Sequence, residues 1–115
     1  MKQALITLLE TFGYPVRQQG SLVGTYPDSF FTFWNDSADD GSHYDNDPIN
    51  YVWRFTVYFF STDPLLVDSK LIEAKSLLKA NNWIVPGKGY DTPSDEQTHT
   101  GRAIDCYFVE KNSEE

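Results

Sequence analysis

The chain has a single cysteine, so no disulfide can close within it, and Cys106 in Ile104-Asp105-Cys106-Tyr107-Phe108 occupies a position suited to a small buried apolar side chain. A reducing compartment follows as the expectation. Cations are also scarce: nine Lys and Arg stand against seventeen Asp and Glu, for a formal charge of -8. Holding nucleic acid or an anionic membrane requires clustered Lys and Arg, so neither is expected as a direct partner. No stretch approaches the roughly 20 apolar residues that span a bilayer. The apolar start of the chain is interrupted by Thr7 and Glu10, and no small-residue cleavage site follows it. A soluble protein made in the cytoplasm is expected, without repeats, low-complexity runs or linkers.

Aromatic residues, by contrast, are abundant: three Trp, seven Tyr and eight Phe in 115 residues. A chain of this length fits one domain and buries roughly two-thirds of its unfolded surface, so its core and any interface would be built largely from flat side chains. Residues 1–110 read as one domain and 111–115 as a polar tail that frays.

Ala4, Leu5, Leu8, Leu9 and Phe12 recur at helical spacing, and Gly13-Tyr14-Pro15 stops them, which predicts a helix over about 2–12. A short extended segment follows within Tyr14 to Leu22, turning at Gly20-Ser21, and Ser29 to Trp34 reads as a strand with aromatics on both faces. From Ile49 to Phe60 the residues alternate, with Tyr51, Trp53, Phe55, Val57 and Phe59 on a wholly apolar face. On the mixed face Tyr58 and Phe60 are apolar at the far end, a place where a partner subunit could sit. Asp63-Pro64 starts a second helix with Asp63 as N-cap. Val67, Leu71, Ala74 and Leu78, flanked by Ile72 and Leu77, form its buried stripe, and Asn81-Asn82 ends it. Trp83 to Val85 reads as a short strand, and Ala103 to Val109 as the last one. The pattern predicts an α+β two-layer sandwich: a mostly antiparallel sheet of four or five strands with two helices, in the order α-β-β-β-α-β-β.

Two polar stretches could carry chemistry. Asp36 to Asp47 matches a calcium loop at Asp36, Asp40 and Gly41, but Ala38 stands at the third position, Asp47 replaces the bidentate Glu, and the flanks read as strands. It is read as a solvated hairpin loop, and no metal site is expected; Asp36, Asp40 and Asp47 are the only candidates for one. Gly87 to Arg102 is a long polar connection of the kind that serves binding or assembly. Its His99 lies beside Thr98 and Thr100, yet nothing supplies a nucleophile turn or an oxyanion hole, so it is read as a surface hydrogen-bonding group and no catalytic residue is expected. Gly87-Lys88-Gly89 lacks the phosphate-loop spacing, and Arg102 is placed to pair with a carboxylate of its own loop or of a neighbouring chain. No cofactor is expected.

Gly13-Tyr14-Pro15-Val16, Tyr26-Pro27-Asp28-Ser29-Phe30-Phe31-Thr32-Phe33-Trp34, Gly87-Lys88-Gly89-Tyr90-Asp91 and the stretch Ser94-Asp95-Glu96 to Thr98-His99-Thr100-Gly101-Arg102 carry a resemblance. Over nearly its whole length the chain resembles small structural proteins of tailed phages and prophages of Gram-positive bacteria, in particular the tail-completion and head–tail joining group. That resemblance implies small α+β domains forming rings at the end of the tail tube, a structural role without an active site, and residence in the host cytoplasm during assembly and then in the virion. Its implied partners are copies of itself and other tail or connector proteins. The residues singled out for such contacts are Trp34, Tyr58, Phe60, Asp95, Glu96, His99 and Arg102. A competing reading is a small acidic protein that binds a host protein, as an inhibitor or a mimic of nucleic-acid charge.

Overall fold

Side-chain alternation in three long strands decides the architecture. The computed structural model describes residues 2–18, 27–40, 43–44, 47–48, 50–94 and 98–111, and of residues 39, 40, 43, 44, 47, 48 and 111 it describes the backbone alone. The elements are α1 (Lys2–Glu10), β1 (Val16–Gln18), β2 (Ser29–Asp40), β3 (His43–Tyr44), β4 (Asp47–Pro48), β5 (Asn50–Ser61), α2 (Pro64–Ala80), β6 (Tyr90–Thr92) and β7 (Thr100–Lys111). Five strands form one sheet in the order β1-β2-β5-β7-β6, while β3 and β4 pair as a separate ribbon. Only β1 and β2 run parallel. The fold is therefore α+β with a mostly antiparallel sheet, and with the ribbon set aside the elements follow the expected order.

Phe31, Phe59 and Arg102 stand side by side across the sheet, as do Phe33, Val57 and Ile104, so successive residues of each strand fall on opposite faces. One face carries Phe31, Phe33, Phe55, Val57, Phe59, Ile104 and Cys106, all buried with Leu5 and Leu9 of α1 and Val67, Leu71, Ala74 and Leu78 of α2. Each such side chain contributes about 1.5–3 kcal/mol by leaving water, which makes this layer the source of most of the stability.

Local signals set the ends of α2. The Asp63 carboxylate accepts from the Leu65 N–H at 3.0 Å, satisfying one of the donors orphaned at a helix start. At the other end Asn82 takes a positive φ of 72°. The Trp83 N–H then reaches the Leu78 carbonyl at 3.0 Å and the Asn82 N–H the Lys79 carbonyl at 3.2 Å, the double bond that closes a helix through a left-handed residue.

Several boundaries differ from the sequence expectation. The first helix stops at Glu10, and Ala4 and Ile72, assigned to buried stripes, lie exposed. Strand β2 does not end at Trp34 but continues to Asp40, so the first half of the acidic stretch is strand, held there by pairing with β5. Trp83 to Val85 makes one bridge, Ile84 with Tyr107. The ladder cannot extend, because the next bonding residue is Pro86, which has no N–H, and the preceding one is the helix-capping Asn82. The penultimate strand is instead β6, inside the connection read as a loop. Lys111, placed in the fraying tail, is the last residue of β7. Residues 19–26, 95–97 and 112–115 lie outside the described residues, and with them the Gly20-Ser21 turn, Asp95, Glu96 and the rest of the tail.

Candidate functional site

The second face of the sheet differs in kind. Among the described residues no helix lies on it. Pairing places side chains in rows across the strands: Phe30, Phe60, Gly101 and Thr92; then Arg17, Thr32, Tyr58, Ala103 and Tyr90; then Trp34, Thr56 and Asp105. Large apolar groups reach solvent here, with Trp34 47% exposed, Tyr90 48% and Val109 42%. Arg54 lies over the ring of its cross-strand neighbour Tyr107, 5.0 Å from the centroid.

An irregularity in β2 gives this face its charge. The β2–β5 register shifts between Asn35 and Ser37, leaving Asp36 as the extra residue of a bulge. The Asn35 amide fastens the distortion by donating to the Ser37 carbonyl at 3.0 Å and the Arg54 carbonyl at 2.9 Å. Asp36 is thereby aimed at Thr56, whose hydroxyl stands 2.6 Å from Asp36 Oδ2 and 3.2 Å from Asp105 Oδ1. One hydroxyl proton cannot serve two carboxylates, and the shorter contact goes to Asp36. Asp105 is left with a long 3.4 Å contact from the Tyr90 hydroxyl, and so retains acceptor capacity towards anything that docks. Burial raises the Tyr58 phenol above its ordinary pKa, and Asp36 and Asp105 add to the shift. Tyr90 is raised in the same direction by burial, by Asp105 and by Tyr58. Both phenols therefore remain neutral hydrogen-bond donors at physiological pH.

The residues singled out from the sequence fall into three environments. Trp34 is on the uncovered face, and Tyr58, half-buried, lies there too, stacked on Phe60 with ring planes 9° apart. Phe60 shares the face but is only 8% exposed, pressed between Phe30 at 5.4 Å and Gly101. His99, expected at the surface, is buried: Nε2 is 2.7 Å from the Pro27 carbonyl, Nδ1 is 3.0 Å from the Thr98 hydroxyl, and the ring meets Phe30 edge-on. It ties the chain before β2 to the start of β7. Arg102, on the helix side, pairs with Asp91 at 2.8 Å and donates to the carbonyls of Lys88 and Gly89 at 3.1 Å each. Asp36 binds Thr56, while for Asp40 and Asp47 only the strand backbone is described. Among the described residues, no three His, Cys, Asp or Glu side chains gather as a metal would require.

Cys106 faces the helices. Burial above all, with Asp105 and Asp36 adding to it, pushes its thiol up to about 12, so it offers no thiolate at neutral pH. Reading the sequence missed Thr56 and Asp105; their signal was only a threonine and an aspartate on mixed strand faces, whose meeting depends on the register between β5 and β7. Among the described residues no helix is long and apolar enough to cross a membrane. Comparison with protein-family models finds no family that matches this chain, and comparison with curated proteins finds no significant match.

Proposed function

We propose that this chain is a non-enzymatic assembly protein of a tailed phage or prophage, of the tail-completion or head–tail joining kind, working through contacts with copies of itself and with tail or connector proteins. The observation that supports the reading is the sheet face on which, among the described residues, no helix lies. A two-layer domain ordinarily leaves its second sheet face polar, whereas this one presents Trp34, Tyr90 and Val109 to solvent around the Asp36–Thr56–Asp105 junction. Aromatic anchors around exposed carboxylates suit a protein surface better than a small substrate. The resemblance of the sequence to phage structural proteins supplies the class of partner, and with it the host cytoplasm and the virion as locations.

The test is to mix the purified protein with tail tubes or connector complexes and examine the products by native mass spectrometry and electron microscopy. Wild type is expected to bind as a ring-like oligomer, and Trp34→Ala with Tyr90→Ala to lose binding while still folding cooperatively in a thermal melt. A protein that neither binds these complexes nor enters virions, and that instead recovers a host nuclease or polymerase, would overturn the reading in favour of an acidic host-binding protein.

A further inference from the structure

Four of the chain's nine cationic residues, Lys75, Lys79, Lys88 and Arg102, line one groove between α2 and the turn at 87–89, with a volume of about 540 Å³. Such a concentration is unexpected in a chain of charge -8. The four divide by role. Lys75 donates to the Gly87 carbonyl, and Arg102 holds the carbonyls of Lys88 and Gly89, so these two fix the turn beside the helix and make the groove a preformed feature. The ammonium groups of Lys79 and Lys88, both exposed, form no hydrogen bond or ion pair with any described residue. Asp68 is the one carboxylate on the lining. The floor is apolar: Leu71 and Ile104 are buried, and Ile72 stays 64% exposed on the wall.

The complement of this groove is in the same chain but out of its own reach. Asp36 to Asp47 contains five aspartates, one tyrosine and no Lys or Arg. Its strand part, at the far end of β2, is separated by β5 from β7, whose Arg102 and Ile104 line the groove. Arg102 stands in register with Phe59, and Asp40 with Tyr51, eight residues or about 26 Å further along β5. Opposite charges at that distance are largely screened within one molecule. Between two molecules they can meet directly, and because the two surfaces differ the contact is head-to-tail, the kind that closes into rings or runs into filaments.

We infer that the α2 groove receives the acidic 36–47 end of a second copy of this chain, with Lys79 and Lys88 meeting its aspartates. This rests on the assembly reading above and names the two surfaces through which copies meet; the uncovered sheet face is left for tail or connector proteins.

Charge exchange tests it. Lys79→Glu with Lys88→Glu removes the groove's free cations, and Asp39→Lys with Asp40→Lys inverts the other surface; thermal melts confirm that both variants fold. In sedimentation velocity, wild type is expected to self-associate at low salt and to weaken by about tenfold or more at high salt, and each variant alone to be monomeric. Mixing the two variants should restore association, because the intact groove of one meets the intact acidic end of the other and the two inverted surfaces are again of opposite charge. If the wild type is a monomer without its tail partner, a peptide of residues 36–47 should still bind it at low salt, and bind the Lys79→Glu, Lys88→Glu variant at least about tenfold less. Unchanged association of either variant, a mixture that fails to pair, or a peptide that does not bind would overturn the inference. So would tighter binding of inorganic phosphate than of the peptide. Any of these results together with intact tail binding would leave the assembly reading standing, whereas loss of tail binding and virion entry by the wild type would overturn that reading itself.

Discussion

The two faces of one sheet are built from the same three strands and nearly the same share of aromatic residues, yet they stabilise the molecule in different ways. On the helix side Phe31 and Phe59 meet at 4.6 Å, both wholly buried, and α1 and α2 seal the layer. On the other side Phe30, Thr32, Thr56, Phe60 and Ala103 are also buried or nearly so, although no described helix lies over them. Their cover comes in part from neighbours that are themselves half in water, such as Tyr58. A layer of that construction can keep its inner rows dry while leaving its outer rings free to bind. Among the described residues, what separates the faces is therefore the helix cover, not the number of apolar groups.

The sharpest break in the comparison is a truncation on the covered side. Phe59→Ala removes a ring wedged against Phe31 and Tyr14, and should cost about 3–5 kcal/mol in a denaturant melt, close to the whole stability of a small domain. Trp34→Ala, at half-exposed Trp34, should cost far less. Equal losses at the two positions would show that the uncovered face is as much a core as the other. A smaller effect is expected where the uncovered face is tightest. A Cβ built on Gly101 would lie 2.5 Å from the Phe60 ring, which is stacked between Phe30 and Tyr58 and cannot retreat. Gly101→Ala should therefore cost about 1–3 kcal/mol by overpacking, against the gain of about 0.5–1 kcal/mol that removing a strand glycine normally brings. A smaller residue at Phe60 should restore the loss; a neutral Gly101→Ala would mean that this end of the face is loosely packed.

How much of this was legible in the sequence follows from how far apart the interacting groups are. The caps of α2 were readable because Asp63, Pro64, Asn81 and Asn82 act within one helical turn of their targets. The covered face was readable because alternation in β5 is a local pattern. Strand β6 was not, since Tyr90-Asp91-Thr92 has little strand character of its own and is held by pairing with Gly101 to Ala103. Nor was the burial of His99, whose polar neighbours suggested a surface loop while its partner, the Pro27 carbonyl, stands 72 residues away. The same holds for the junction on the uncovered face, where Thr56 and Asp105 are 49 residues apart, and for the groove, where Lys88 joins the helical lysines only after the chain has turned back.

Thr32 offers the finest test of the difference between the faces. It lies on the uncovered side between Arg17 and Tyr58 and is only 5% exposed, and its hydroxyl is buried without a hydrogen-bond partner among the described residues. A buried donor left unmade costs about 1–3 kcal/mol, and valine keeps the branched shape that a strand favours while removing the hydroxyl. Thr32→Val should thus stabilise the isolated protein by about 1 kcal/mol, raising Tm by about 4 °C. A loss of stability would show that the hydroxyl is satisfied within the protomer and that the uncovered face is complete by itself. If the variant melts higher, the unmade hydrogen bond of Thr32 is a cost that this face carries, and the two faces differ in how fully their polar groups are satisfied as well as in their helix cover.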